Sequence, residues 1–420
     1  MEEVTISVDQ NQTTPSATKK ESKLSNLTSR LFKHKFVLLS IILVFIVLLS
    51  AGGAFGYIIL TGKKEVITAQ YELLKANGAT VETYSTYIPD PPEVKEYENP
   101  LNGELLTKKE FDEMKSKPVV VVMVNNHVAA RPQSGLDKAD IVYEALAEGG
   151  ITRNMAVFWG PASTEATEVG PIRSIRQYFV DWAIEYKVPV VMHIGWAGYD
   201  PGIDKTIVPE ADARSYILSH SNQLKSLQSG FWRDPNRVSP HNAYNSVPAI
   251  LETAKKNGWG NEGIRDSYQF KPDASLDDRS LTSKAEITFL NSSANDYSVR
   301  WEYDKDSNTY LRYIGGVKHI DKITGKQLTA KNIVLQEVKY QSARDEHARI
   351  LLGTVGTGKA RYMIDGKVQT GTWKKADKTS MTKFYDDKGA EIKFNRGQLW
   401  IEEIPISPND GKVIGKLDVN

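Results

Sequence analysis

The 420 residues hold 53 Lys and Arg against 52 Asp and Glu, so no net field draws the protein to nucleic acid or to an acidic surface, and any anion recognition must be local. With no cysteine, disulfides, thiolate metal sites, a cysteine nucleophile and a lipid anchor on cysteine are excluded. The length allows two domains with cores of ordinary size.

Residues 1–35 are polar, rich in Ser, Thr, Lys and Asn, and read as a disordered cytoplasmic tail. Residues 36–60 are uncharged and apolar, long enough for a helix to cross a hydrocarbon core of roughly 30 Å at about 1.5 Å per residue. Lys19, Lys20, Lys23, Arg30, Lys33 and Lys35 precede this run and only Lys63 and Lys64 follow closely, so the positive-inside bias places the N-terminus in the cytoplasm and the rest outside. The long basic lead and the length of the apolar run favour a signal-anchor over a cleaved signal peptide. The expectation is therefore a single-pass cell-membrane protein whose C-terminal bulk is extracellular.

Residues 61–117, with the Pro-rich stretch Pro89-Asp-Pro-Pro92, read as a stalk leading into the first domain. That domain, expected over 118–275, opens with Val-Val-Val-Val-Met-Val at 119–124, the pattern of a strand covered on both faces. Further strands are expected at 141–143, 155–159 and 188–194. Between the last two, a helix is expected to open at Gly170-Pro171, with Ile172, Ile175, Phe179, Trp182 and Tyr186 on one stripe. Another is expected from Pro248 to Asn257, ended by Gly258. Alternating strands and helices predict an α/β-type domain.

From 276 to 410 short alternating segments separated by turn signals, such as Tyr-Leu-Arg-Tyr at 310–313, predict a mostly β second domain, with Asp365-Gly366 as a hairpin turn. The fold class expected is thus α+β: an N-terminal transmembrane helix, an α/β-type first ectodomain and a mostly β second domain.

Two tempting motifs fail their context. Gly353 and Gly358-Lys359 have phosphate-loop spacing, but Ala360 stands where Ser or Thr should bind magnesium, and a strand pattern follows instead of a helix. Asp304, Asp306 and Asn308 begin like a calcium loop, yet Thr309 occupies the glycine position and Gly315 that of the bidentate glutamate. No zinc-protease helix or nucleophile elbow is present, and no metal or cofactor is implied.

What remains is a set of polar groups in the first domain. Arg173 and Arg176 lie three apart in the first turns of the helix expected at Gly170-Pro171, whose end presents free N–H groups. His127 and His193 fall at the carboxyl ends of expected strands, where open sheets carry their ligand crevice. Gly195 would let a ligand or another loop approach. The loop 233–242 carries Arg233, Arg237, His241 and Asn242, which could complete an anion pocket or supply a general base in His241 or His193. Against this, the arginines could pair with Asp140, Glu144 or Glu148, and Arg131 ranks with His127 behind the others.

At these residues the chain resembles the YerB-like family of exported lipoproteins of Bacillus and related Firmicutes, whose function is uncharacterised. The resemblance rests on Val-Met-Val-Asn-Asn-His at 122–127, Arg-Pro-Gln-Ser-Gly-Leu at 131–136, Gly-Pro-Ile-Arg-Ser-Ile-Arg at 170–176, Pro-His-Asn at 240–242 and Gly-Thr-Trp-Lys at 371–374. It implies an N-terminal α/β part and a C-terminal β part, and assigns no catalytic residue. This chain departs from the pattern in having no cysteine to acylate.

The leading expectation is a non-enzymatic, or at most weakly enzymatic, envelope module whose first domain binds an anionic or glycan ligand, a cell-wall polymer or lipid-linked precursor, through Arg173, Arg176, Arg233, Arg237, Asn242 and Gly195. The alternative is an envelope hydrolase or transferase using His193 or His241. A third reading has the β domain docking another exported protein.

Overall fold

The computed structural model describes residues 93–198, 206–292 and 295–420. The expected tail, membrane helix at 36–60 and most of the stalk lie outside these residues.

The described chain contains four α-helices, α1 (Lys108–Lys115), α2 (Gln177–Ala183), α3 (Ala213–Ser219) and α4 (Val247–Lys256). Its principal strands in the first half are β1 (Val120–Asn125), β2 (Ile141–Leu146), β3 (Thr152–Phe158), β4 (Val190–Met192) and β5 (Lys225–Leu227). The second half supplies β6 (Lys284–Thr288), β7 (Val299–Asp304), β8 (Thr309–Ile314), β9 (Asn332–Ser342) and β10 (Gly356–Ile364). It ends with β11 (Lys367–Lys375), β12 (Lys383–Asp386), β13 (Leu399–Ile406) and β14 (Lys416–Val419).

One sheet runs in the order β12-β11-β10-β9-β13-β2-β3-β1-β4-β5, with Ile350–Leu352 added beside β9. It passes without a break from the second half of the sequence into the first, because β13 lies parallel between β9 and β2 and pairs Leu399 with Ile141 and Glu402 with Glu144. Strands β2 and β13 are buried along nearly their whole length, as a strand covered on both faces must be. A second sheet, formed by β8, β7, β6 and β14 with short flanking strands, packs on one face of the first. There Trp301 of β7 meets Trp400 of β13 edge to face at 5.2 Å between centroids, an arrangement contributing about 0.5–1.5 kcal/mol beyond area burial.

Where the local signal is strong, the elements form as expected. Ser246 caps α4 by accepting from the Ala249 N–H, and Gly258 ends that segment at φ 66°. Asp365 and Gly366 join β10 to β11 with φ of 54° and 71°, the mirror-image turn that suits strand twist. The glycine-rich run before Ala360 lies in β10 and is followed by no helix.

The expected fold class needs correction. The structure is mostly β throughout, and its first half is a strand-rich layer with few short helices rather than an α/β unit. The helix expected from Gly170 begins only at Gln177, with Arg176 as its N-cap residue. Residues 170–175 are extended instead: Gly170 exchanges backbone hydrogen bonds with Ser134, Ile172 donates to Ala243, and Arg173 donates to Met123. Ile172 and Ile175 are buried by those neighbours, so the apolar spacing that suggested a helix serves an extended segment. As for the expected transmembrane segment, among the described residues no helix is long and apolar enough to cross a membrane.

The latter part of the expected stalk packs onto the same body. Asp140, fully buried, accepts from the side-chain amides of Asn99 and Asn102 and from the backbone N–H groups of Trp159 and Gly160.

Candidate functional site

Three of the singled-out side chains come from three segments that meet at the C-terminal end of β1. The Asn125 backbone N–H donates to the Pro171 carbonyl, which aligns 171–173 beside the strand end, and Ala243 pairs with Ile172 on the other side. This brings His127, Arg173 and His241 together.

The two imidazoles stack, with centroids 4.3 Å apart and planes 16° apart. His127 Nδ1 accepts from the Ala129 backbone N–H at 3.1 Å. His241 Nδ1 lies 2.8 Å from the Asn125 side-chain nitrogen. That amide cannot be turned round, because its oxygen accepts from the His127 backbone N–H at 3.0 Å. Both Nδ1 atoms are therefore acceptors, and in each neutral ring the proton sits on Nε2. The pair offers N–H donors, not lone pairs. Burial, then His127 and Arg173, lower the pKa of His241 from its usual value, which keeps it neutral at pH 7.

Arg173 is half-buried, and among the described residues its guanidinium has no hydrogen-bond or ion-pair partner. Burial lowers its pKa, Glu148 offsets part of that and Arg176 adds to it, yet an arginine remains charged. Its sequence twin Arg176 is committed: Nε and Nη2 grip the two oxygens of Glu148 at 2.9 and 2.6 Å. Arg153 reaches the same carboxylate at 3.4 Å and donates to the Ser174 carbonyl. Burial alone would raise Glu148, but Arg153 and Arg176 outweigh it and hold the carboxyl at about 2. Glu148 is thus shared by Arg153 and Arg176, and Arg173 is left as the cation that acts on His241.

The other expected site residues hold the scaffold. Arg237 donates to the carbonyls of Ala130 and Pro132, both at 2.8 Å, and so ties the loop 233–242 to the loop that carries His127. Arg233 donates to Asn242 at 2.7 Å, and buried Asn242 donates to the carbonyls of Asp234 and Arg237. Arg131 binds the carbonyls of Asn126 and Asp296. Gly195 has φ 76°, and a Cβ there would stand 2.9 Å from Ser174 Oγ, so the close approach it permits is that of another loop. His193 is fully buried, with Nδ1 at 2.9 Å from the Gly195 carbonyl and Nε2 at 2.8 Å from Ser226 Oγ. Burial pushes its pKa down to about 4. It shares no hydrogen bond with His241 or the arginines.

Sequence reasoning missed a buried charge cluster behind this surface. Arg312 of β8 donates to Glu402 at 2.8 Å, makes a close ion pair with Glu144, and donates through Nε to His319 Nδ1 at 3.0 Å. Its plane lies 4.3 Å from the Trp400 ring centre. Glu144 also accepts from Asn126 and Thr152, and His319 reaches Gln133, which donates to the Asn125 carbonyl. Burial, with Glu144 adding to it, pushes Glu402 up to about 8. Arg312 thus stands between two buried carboxyl groups, Glu144 and Glu402, and donates to both. A signal existed: in the alternation of 309–314, Arg312 falls in phase with buried Tyr310 and Ile314. Among the described residues no group of three or more His, Asp or Glu could hold a metal ion.

Comparison with known proteins gives the same fold and no activity. Residues 104–260 match the N-terminal domain of a protein of unknown function (DUF3048), and 287–401 match its C-terminal domain. The chain is 34% identical over 316 residues, 75% of this chain and 88% of the other, to "Putative lipoprotein YerB" of Bacillus subtilis (strain 168). The crystal structure of the YerB protein from Bacillus subtilis superposes with a TM-score of 0.60 at 28% identity, covering 77% of this chain and 100% of that one.

Proposed function

We infer that this chain, which belongs to the YerB-like family, works at the cell envelope and binds an anion there through Arg173, His127 and His241. The location is supported by the description of its relative as a lipoprotein, a membrane-attached exported protein; these 420 residues hold no cysteine to acylate, so that mode of attachment does not carry over. The binding reading rests on one observation: a half-buried guanidinium without a partner among the described residues stands beside two imidazoles whose fixed tautomers offer only N–H donors. Such a site is complementary to phosphate or carboxylate oxygens. The ligand class is a phosphate- or carboxylate-bearing envelope molecule, wall polymers included.

The same tautomers argue against His241 as a general base, since its free nitrogen already carries the proton. Calorimetric titration of the full chain with methyl phosphate tests the reading. Binding that disappears in Arg173→Ala is expected; no binding at millimolar ligand, or binding that survives the substitution, rejects it.

A further inference from the structure

The two loops that carry the donor pair also expose apolar side chains at their tips. Val128, next to His127, is 44% exposed, and Val238, whose carbonyl accepts from the His241 N–H, is 80% exposed. Trp232, 41% exposed, stacks on Tyr244 at 6.2 Å in the short strand pair that leads into the same loop, and Arg233 follows it. Isolated exposed valines carry no meaning on a soluble surface. Here, however, Val128 and Val238 sit on loops held side by side by Arg237 and by the stacked histidines, so each valine neighbours a residue of the donor pair.

An anion in water needs only the donors, and the apolar rim would be a liability beside it. A head group that arrives with a hydrocarbon chain uses both, since covering the rim removes apolar area from water on both partners. Trp232 adds an amphipathic ring, a side chain that suits a boundary between apolar chains and charged heads.

Resting on the anion reading above, we propose that the ligand is a phosphate-bearing lipid, its head held by Arg173, His127 and His241 and the first methylenes of its chain lying over Val128, Val238 and Trp232. The recognised unit is thus amphiphilic, and a soluble polymer phosphate binds the same donors without the second contribution.

The test is a series of alkyl phosphates from methyl to hexyl, short enough to stay monomeric, titrated calorimetrically into the full chain. Each added methylene is expected to tighten binding roughly two- to fourfold. The double substitution Val128→Ser and Val238→Ser is expected to flatten that series. If methyl phosphate binds and the wild-type series is flat, the lipid proposal falls while the anion reading stands. If the series steepens equally in Arg173→Ala, the chain is binding elsewhere and the proposal also falls. If no member binds, both are lost.

Discussion

Arg312 lies 2.8 Å from Glu402, wholly buried, and one guanidinium thereby joins β8 of the second sheet to β13 of the first. With Glu144 on its other side, two buried carboxyl groups share one guanidinium, and burial together with Glu144 pushes the Glu402 pKa up to about 8. In the unfolded chain the same group ionises near its ordinary value. Between about pH 4.5 and 8 the unfolded state therefore binds fewer protons, and stability falls as pH rises, by at most about 1.4 kcal/mol per pH unit. Glu402→Gln, which keeps an acceptor for Arg312 and Trp301, is expected to remove this component. Urea midpoints at pH 5, 6, 7 and 8 for both proteins check it; parallel pH profiles would mean that Glu402 is ionised in the fold.

Arg173 and Arg176 should separate cleanly. Arg176→Ala leaves Glu148 with Arg153 alone and is expected to destabilise the fold by about 1–3 kcal/mol. Arg173→Ala removes no partner and should stay within about 0.5 kcal/mol of wild type in thermal or chemical unfolding. Comparable losses in the two variants would show that Arg173 is a scaffold residue.

That distinction was not available from the sequence. Two arginines three residues apart read alike, and what separates them is Glu148, in the turn between β2 and β3, which tertiary packing brings to Arg176. The extended course of 170–175 was hidden for a similar reason: Ser134, Met123 and Ala243 supply its hydrogen bonds from afar, while its isoleucines keep a helical spacing. Local chemistry was legible where it is decisive, as in the all-apolar start of β1, the capped α4 and the Asp365-Gly366 turn. The continuity of the large sheet was not, since β13 and β2 lie far apart in sequence and nothing local specifies their parallel pairing.

His193 offers an acid-side counterpart. Its folded pKa of about 4 lies below the ordinary value, so below about pH 6.5 the unfolded chain takes up a proton that the fold refuses until pH 4. Stability is expected to fall across that window by up to about 1.4 kcal/mol per pH unit. His193→Gln should reduce this acid sensitivity and leave methyl phosphate affinity unchanged. A large loss of affinity would instead bring His193 into the ligand site.

The tautomers of the stacked pair decide what the site can do, and Asn125 fixes one of them. Its amide donates to His241 Nδ1 and accepts from the His127 backbone N–H. Asn125→Asp keeps the acceptor and replaces the donor by a carboxylate oxygen, so His241 must carry its proton on Nδ1 or become imidazolium. Where it stays neutral, Nε2 turns a lone pair toward the ligand, and losing one donor to an anion corresponds to about 1.5–3 kcal/mol, or roughly ten- to a hundredfold in methyl phosphate affinity. Imidazole nitrogen chemical shifts read the change directly: in wild type both rings should show Nε2–H at pH 7.5, and in the variant only His241 should change, because His127 Nδ1 still faces the Ala129 N–H. A wild-type His241 carrying its proton on Nδ1 would turn the site from a donor pair into a potential base and overturn the anion reading at its source.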